Sequence, residues 1–412
     1  MLFNRARALA LMEQFALDAL IAATRENVTY LSDFMPWGQA VHKYFQRPNF
    51  VVFSRRTDDA PTLLIYPGEA TYAACYPPWI EDVYIYGAAR SPHYRGTAPM
   101  SSEEEKFSSI LDQARLKGKT PGEALVKILR EKKLLRDRIG IDHEGISSAL
   151  KQELRDSLPE AEFLDASDLF RLIRMVKTSD EIERLRKAAA LNERGVQAIF
   201  RKAQIGCDEL ELASEYYSEI GKGRGVVEWF HLGSGRRSAA ICPPIRKKLA
   251  AGELLRTDAG CILDCYHADT CGTGVMGEPT PKQAQMFAAG KNGIAACLEI
   301  LRPGCKPSRL ADALSQGLRE GGATEEKKDF VGHTIGIEPR EFPFEFGSPK
   351  SLSSPYLPQT TDIPLEENMV INIEVALVDR GFGGIQIEHT LVMRPGGYEF
   401  IIPQSRDLVR IG

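Results

Sequence analysis

The sequence predicts an α+β protein in two domains, and three observations carry that prediction. A length of 412 residues exceeds one typical core and suits two domains, three at most. The first part alternates helix and strand patterns, the mark of an α/β layer. The second runs helix, helix, then many strands with turn signals, the mark of antiparallel sheets with segregated helices. The break falls at about 170–178, giving an α/β domain over 1–172 and a larger α+β domain over 173–412.

Residues 3–16 read as an amphipathic helix and 18–23 as a buried strand. "NVTYLSDF" reads as a turn into another strand, and "NFVVFS" and "TLLIYPG" as short strands. Residues 88–108 are polar and read as a surface loop. "GEALVKILREKKL" is helical, "RIGID" a strand, "ISSALKQELRDSLP" a helix and "AEFLDAS" a strand. "TSDE" at 178–181 is a capping box, Thr178 as N-cap with Glu181 reaching back. The helix it opens has apolar residues at 182, 185, 189, 196 and 199. "EWFHLGSG", "ELLRTDAG", "ADTCGTGVMG", "NMVINIEVAL", "GGIQIEHTLVM" and "YEFIIP" read as β, with helices "PKQAQMFAAGKNGIAACLEIL" and "PSRLADALSQGLREGG" between them.

Apolar content of 43% and charged content of 26% belong to a soluble globular protein. A formal charge of −4 gives no basic footprint for nucleic acid and none for a polybasic membrane-surface protein. The apolar residues at the start are interrupted by Arg5, Arg7, Glu13, Gln14 and Asp18, so neither a leader core nor a membrane span is expected. The eight cysteines show neither a CxxC pair nor zinc-finger spacing, which favours reduced thiols in the cytoplasm.

The chemistry is carried by acids in strand-like surroundings. If Asp258 and Asp269 face each other across a hairpin, the turn centres between Leu263 and Asp264. Two charged carboxylates opposed at about 4 Å repel by roughly 4 kcal/mol at an effective dielectric near 20. That is tolerable only with a proton, with solvation or with a cation between them. Glu374 and Glu388 form a second apparent pair, with the turn on Gly381 inside "DRGFGG". Both stand among β-branched residues, where a bare charge is expensive. His333, between glycines in "FVGHTIGIEPRE", adds one nitrogen. Such an oxygen-rich set suits Mn, Fe, Co or Zn pairs and does not suit a structural zinc site.

With "LLRTDAG", "ADTCGT", "GHTIGIEP", "ENMVINIEVAL" and "IQIEHTLV" in this order, the chain resembles the creatinase/prolidase/aminopeptidase P group, the pita-bread metallohydrolases. "MVKTSDEIERLRKAA" is similar to the group's linker and first catalytic-domain helix, and the resemblance covers nearly the whole chain. It implies a pita-bread catalytic domain preceded by a creatinase-type N-terminal domain. It implies two divalent metal ions, manganese first and Zn, Co or Fe as alternatives. Asp258 would bind one, Asp269 and Glu388 would bridge both, and His333 and Glu374 would complete the second. A bridging water turned to hydroxide would attack an amide carbonyl, with Glu374 as proton acceptor. The expected activity is that of an Xaa-Pro dipeptidase or aminopeptidase on a dipeptide or small-molecule substrate, in a cytoplasmic homodimer.

The group's peptidases carry two further histidines near the substrate. Here Cys242 is the nearest polar candidate for the first position, and Arg340 occupies the second. Arg340 suits a bidentate grip on a substrate carboxylate, against a plain ion pair with Glu341, Glu338 or another surface acid. Cys242 is a catalytic thiol or a small buried packing residue. His231 enters the pocket from the strand before Asp258, and its neighbours Trp229 and Phe230 suit either a pocket wall or core packing. These departures keep three other readings open: a non-peptide C–N hydrolase, a metal-dependent lyase on the same fold, and a catalytically silent interaction protein.

Overall fold

The computed structural model describes all residues except 42–46, 57–58, 88–97, 103, 106–114, 324–329 and 404–405. The expected loop over 88–108 therefore lies largely outside the described residues. The chain divides into two compact units, Met1–Ile173 and Arg174–Gly412. Among the described residues no helix is long and apolar enough to cross a membrane.

The first unit is built on seven strands: β1 Ala19–Ala22, β2 Phe50–Ser54, β3 Thr62–Ile65, β4 Asp82–Tyr86, β5 Arg115–Gly118, β6 Arg138–Ile141 and β7 Glu162–Asp165. Their order is β5-β4-β3-β2-β1-β6-β7. The two ladders of β2 are antiparallel and the remaining ladders are parallel. Strands β1, β2 and β3 are buried along their whole length, as their continuous apolar runs require. The helices Pro121–Glu131 and Ser148–Ser157 lay Leu125, Ile128, Leu129, Leu150 and Leu154 into the core against Ile139 and Ile141.

"NVTYLSDF" is a helix, Arg25–Ser32, rather than the expected strand. Thr24 caps it by accepting from the Asn27 N–H, and Asp33 ends it in the left-handed region at φ 59°. Every residue from Asn27 to Ser32 is buried, so the run lacks the polar face that marks a surface helix.

The second unit holds two antiparallel-rich sheets. Strands β8 Val226–Ser234, β9 Leu254–Leu263, β10 Tyr266–Met276 and β16 Val409–Ile411 form one, in the order β16-β10-β9-β8. Strands β11 Gly332–Thr334, β12 Glu341–Phe346, β13 Val370–Asp379, β14 Gly383–Arg394 and β15 Gly397–Phe400 form the other, in the order β12-β11-β13-β14-β15. The Thr178–Glu181 capping box opens the helix Ser179–Lys202. Its buried Ile182, Leu185, Ala189, Val196 and Ile199 are the residues the 3.6-residue period selects. That helix and Glu209–Lys222 cover the first sheet, while Pro281–Ile300 lies on β13 and β14 with Pro307–Glu320 beside it. The sheets are joined where the Thr273 hydroxyl donates to the Gln386 carbonyl and accepts from the Gln386 N–H, both at 2.9 Å.

Candidate metal centre

Two hairpins supply the acids. In the first, the turn residues are Asp264 and Cys265, both at positive φ (48° and 72°), which makes a tight primed turn. The turn sits one residue later than the sequence reading placed it, and every pairing shifts with it. Asp258 lies opposite Cys271 and Asp269 opposite Gly260, so the two aspartates are diagonal neighbours rather than facing ones. Both still project from one face. Diagonal placement near 7 Å brings their repulsion down to about 2 kcal/mol at the same dielectric. In the second hairpin Glu374 faces Glu388 directly, around Gly381 as expected. Strand β11 pairs with β13 and sets His333 opposite Asn372, delivering the imidazole to the glutamates.

Asp269, His333 and Glu388 bring ligand atoms within 4.8 Å of one another. The His333 Nε2 lies 3.1 Å from Asp269 Oδ2 and 3.7 Å from Glu374 Oε1. Its Nδ1 is 3.0 Å from the Thr334 carbonyl, a contact that places the proton on Nδ1 and leaves Nε2 bare as a ligand. Among the described residues, Asp269 Oδ1 and Glu388 Oε2 are buried without a hydrogen-bond partner. Buried carboxylate oxygens left open around a bare imidazole nitrogen fit a divalent cation. Burial drives the carboxyls of Asp269 and Glu388 well above their ordinary range, and neighbouring acids add to it. Glu374 is raised by burial too, with His333 pulling the other way. Burial holds His333 neutral.

Asp258 joins through amide donors that sequence reasoning missed. The Gln386 Nε2 donates to Asp258 Oδ2 at 2.9 Å and to Glu374 Oε2 at 3.0 Å. The Asn372 Nδ2 donates to Glu388 Oε1 at 2.6 Å, and the Trp229 indole N–H to Asp258 Oδ1 at 3.1 Å. The signal was present in the period of two. Asn372 precedes Glu374 by two residues and Gln386 precedes Glu388 by two, so each amide shares its glutamate's face. Gly260 makes room for Trp229, since a Cβ there would meet the indole at 2.3 Å.

The other expected site residues fall in different places. His231 lies directly opposite Asp258 and on the same face. Arg340 stacks over Phe330 with its guanidinium carbon 5.2 Å from the ring centroid and pairs with Glu345. Burial raises the carboxyls of Asp269 and Glu374, and the Arg340 charge opposes that rise as a small contribution. The Cys242 sulfur turns to the carbonyls of Leu232 and Arg237 at 3.8 and 3.6 Å, and burial raises its thiol pKa.

Three carboxylates, an imidazole and a diagonal aspartate, held by neutral amides on two antiparallel sheets, define a metallohydrolase type of centre. The chain belongs to metallopeptidase family M24, whose family model matches residues 183–395, and the Creatinase/Prolidase N-terminal domain matches residues 5–176. It is 24% identical over 344 residues to an Xaa-Pro dipeptidase of Pyrococcus furiosus, covering 80% of this chain and 95% of that protein. An Xaa-Pro dipeptidase of Lactobacillus delbrueckii subsp. lactis is 26% identical over 273 residues, 65% of this chain and 71% of that one. The X-Pro aminopeptidase structure from Thermotoga maritima superposes with a TM-score of 0.75 at 21% identity, covering 98% and 100% of the two chains. The architecture is therefore the expected one, a creatinase-type N-terminal domain followed by a pita-bread domain.

Proposed function

We propose that the protein is a dinuclear metal-dependent hydrolase of the Xaa-Pro dipeptidase or aminopeptidase type, cleaving an amide C–N bond in a small substrate. The observation that carries the reading is the convergence of Asp269, His333 and Glu388, with open oxygens, beside Glu374 and Asp258. Two divalent cations, manganese first, held by these five residues would supply a Lewis acid for the carbonyl and an acidified water. Glu374 takes the proton of the attacking water. It returns that proton to the leaving nitrogen. Gln386 fixes Glu374 for this task by occupying Oε2, which leaves Oε1 facing the centre. His231, beside Asp258, meets the scissile carbonyl from β8. Arg340 grips the free carboxylate of the substrate. Cys242, with its sulfur on main-chain carbonyls, packs the wall. A cytoplasmic homodimer that binds neither nucleic acid nor membrane completes the proposal.

The test is turnover of Xaa-Pro dipeptides by protein loaded with manganese, with loss on chelation and recovery on reloading. Failure on every such dipeptide would overturn the peptidase reading. The standing of Arg340 and Cys242 where the group's peptidases carry histidines favours one alternative, a non-peptide amide substrate. Product identification separates both from a lyase, which leaves an alkene instead of adding water.

Two substitutions probe the parts. Gln386→Ala removes both donors from Asp258 and Glu374, and cation affinity is expected to fall about 10- to 100-fold. Calorimetric titration of the chelated protein with manganese reads this directly. Arg340→Ala is expected to raise KM for a substrate with a free carboxylate about tenfold while leaving kcat within about threefold. That is the lower end for a charge-assisted contact, because the side chain is half exposed.

A further inference from the structure

Arg340 owes little of its aim to the interior, because its contacts among the described residues are Phe330 and the half-buried acid Glu345, which Lys350 also holds at 3.0 Å. What fixes it lies on either side in the chain. Glu338 and Glu341 bracket Pro339 and Arg340, and both are held by cations from the segment that opens this unit. Lys177 Nζ donates to Glu341 Oε2 at 2.8 Å, with the two side chains 0% and 1% exposed. Arg174, 2% exposed, spans both acids, with Nε 3.4 Å from Glu341 Oε1 and Nη2 on Glu338.

The intervening turn is anchored as well. The Gly336 N–H donates to the Glu338 carbonyl at 3.0 Å, and the Gly336 carbonyl accepts from the His267 N–H at 2.9 Å. The Thr334 hydroxyl donates to the Glu341 carbonyl. A Cβ at Gly336 would lie 2.5 Å from the Glu341 carboxylate, so the backbone wraps that group closely. A third acid, Glu181, accepts from the Tyr266 hydroxyl at 3.0 Å, and burial pushes it up to about 8. Protonated at neutral pH, it leaves two cations balanced by two carboxylates.

A buried ion cluster of this kind is weak as a source of stability, since apolar residues of similar volume commonly do as well. Its distinctive contribution is geometric, because a buried carboxylate can sit only where its cation reaches. We propose that Arg174 and Lys177 are positioning residues that clamp Glu338 and Glu341 and thereby aim Arg340 at the substrate carboxylate. The inference rests on the carboxylate-binding role of Arg340 given above.

The test uses manganese-loaded full-length protein and two probes, Leu-Pro and its C-terminal amide, which lacks the carboxylate. Lys177→Met with Glu341→Leu replaces the ion pair by apolar volume. We expect a fold at least as stable as the parent, unchanged manganese affinity and kcat within about threefold. The KM for Leu-Pro should rise about 5- to 10-fold and that for the amide should not. Arg174→Lys keeps the buried charge but cannot span two acids, and it should give a smaller rise of the same selectivity; it carries the test if the double variant does not fold. Lys177→Arg keeps the pair and should keep the parent KM. If Arg340→Ala raises the Leu-Pro KM while the clamp variants do not, the clamp is overturned and Arg340 stands. An equal rise on both probes also overturns it, as general distortion. An unchanged KM in Arg340→Ala removes the role of Arg340 and the clamp with it.

Discussion

Replacing Asp269 by alanine is expected to abolish cation loading and turnover together while leaving the N-terminal unit folded. Asp269 offers Oδ2 beside the bare Nε2 of His333 and a buried, unpartnered Oδ1 toward the centre. The neighbours are already partly engaged, Asp258 through both oxygens with Gln386 and Trp229, and Glu374 and Glu388 through one oxygen each with Gln386 and Asn372. The chelated variant should be no less stable than the chelated parent, since the lost carboxyl is one that burial and the nearby Asp258 and Glu374 disfavour. The N-terminal unit draws on its own core of Ile21, Val52, Leu129 and Ile139, far in sequence from the substitution. Calorimetric titration with manganese, activity and circular dichroism read the three parts. Full turnover by a metal-free Asp269→Ala protein would rule out the two-metal reading.

The second unit was legible in the sequence because its signals are local. Alternation in "INIEVAL" and "IQIEHTL", closed by "DRGFGG", fixes the Glu374–Glu388 pairing through periodicity and turn chemistry alone. The first hairpin was legible only in its faces. "ILDCYH" contains one good turn residue, and choosing between Leu263–Asp264 and Asp264–Cys265 requires knowing that both central residues take positive φ. Moving the turn by one residue displaces each pairing by two positions, so the face survives and the partner does not. The helix Arg25–Ser32 was lost for the opposite reason, because complete burial erases the polar stripe that distinguishes it from a strand. The amides Gln386 and Asn372 went unread because a neutral polar residue on a strand has no chemistry until its distance to a carboxylate is known. The Arg174–Lys177 clamp joins residues 164 apart in sequence, beyond the reach of any local pattern.

Between pH 6.5 and 8 the chelated protein is expected to lose stability more steeply with rising pH than the manganese-loaded protein does. Asp269, Glu374 and Glu388 all have carboxyls raised by burial, so the folded chelated state binds more protons than the unfolded chain above the ordinary carboxylate range. Stability therefore falls as pH climbs through the raised values, by up to about 1.4 kcal/mol per pH unit for each group that titrates. His333 acts with the opposite sign, because burial lowers its pKa and the unfolded chain alone takes up that proton. Its contribution fades above about 6.5 and is spent by about 7.5, where imidazole is neutral in both states, and the raised carboxyls then decide the slope. A cation cancels that loss by binding the deprotonated ligands and releasing their protons, so affinity grows with pH. Glu181, pushed up to about 8, weakens both forms alike and cancels in their difference. Denaturant midpoints across this range, with chelator and with manganese, should diverge steadily. Parallel curves would mean that these carboxyls do not share a cation.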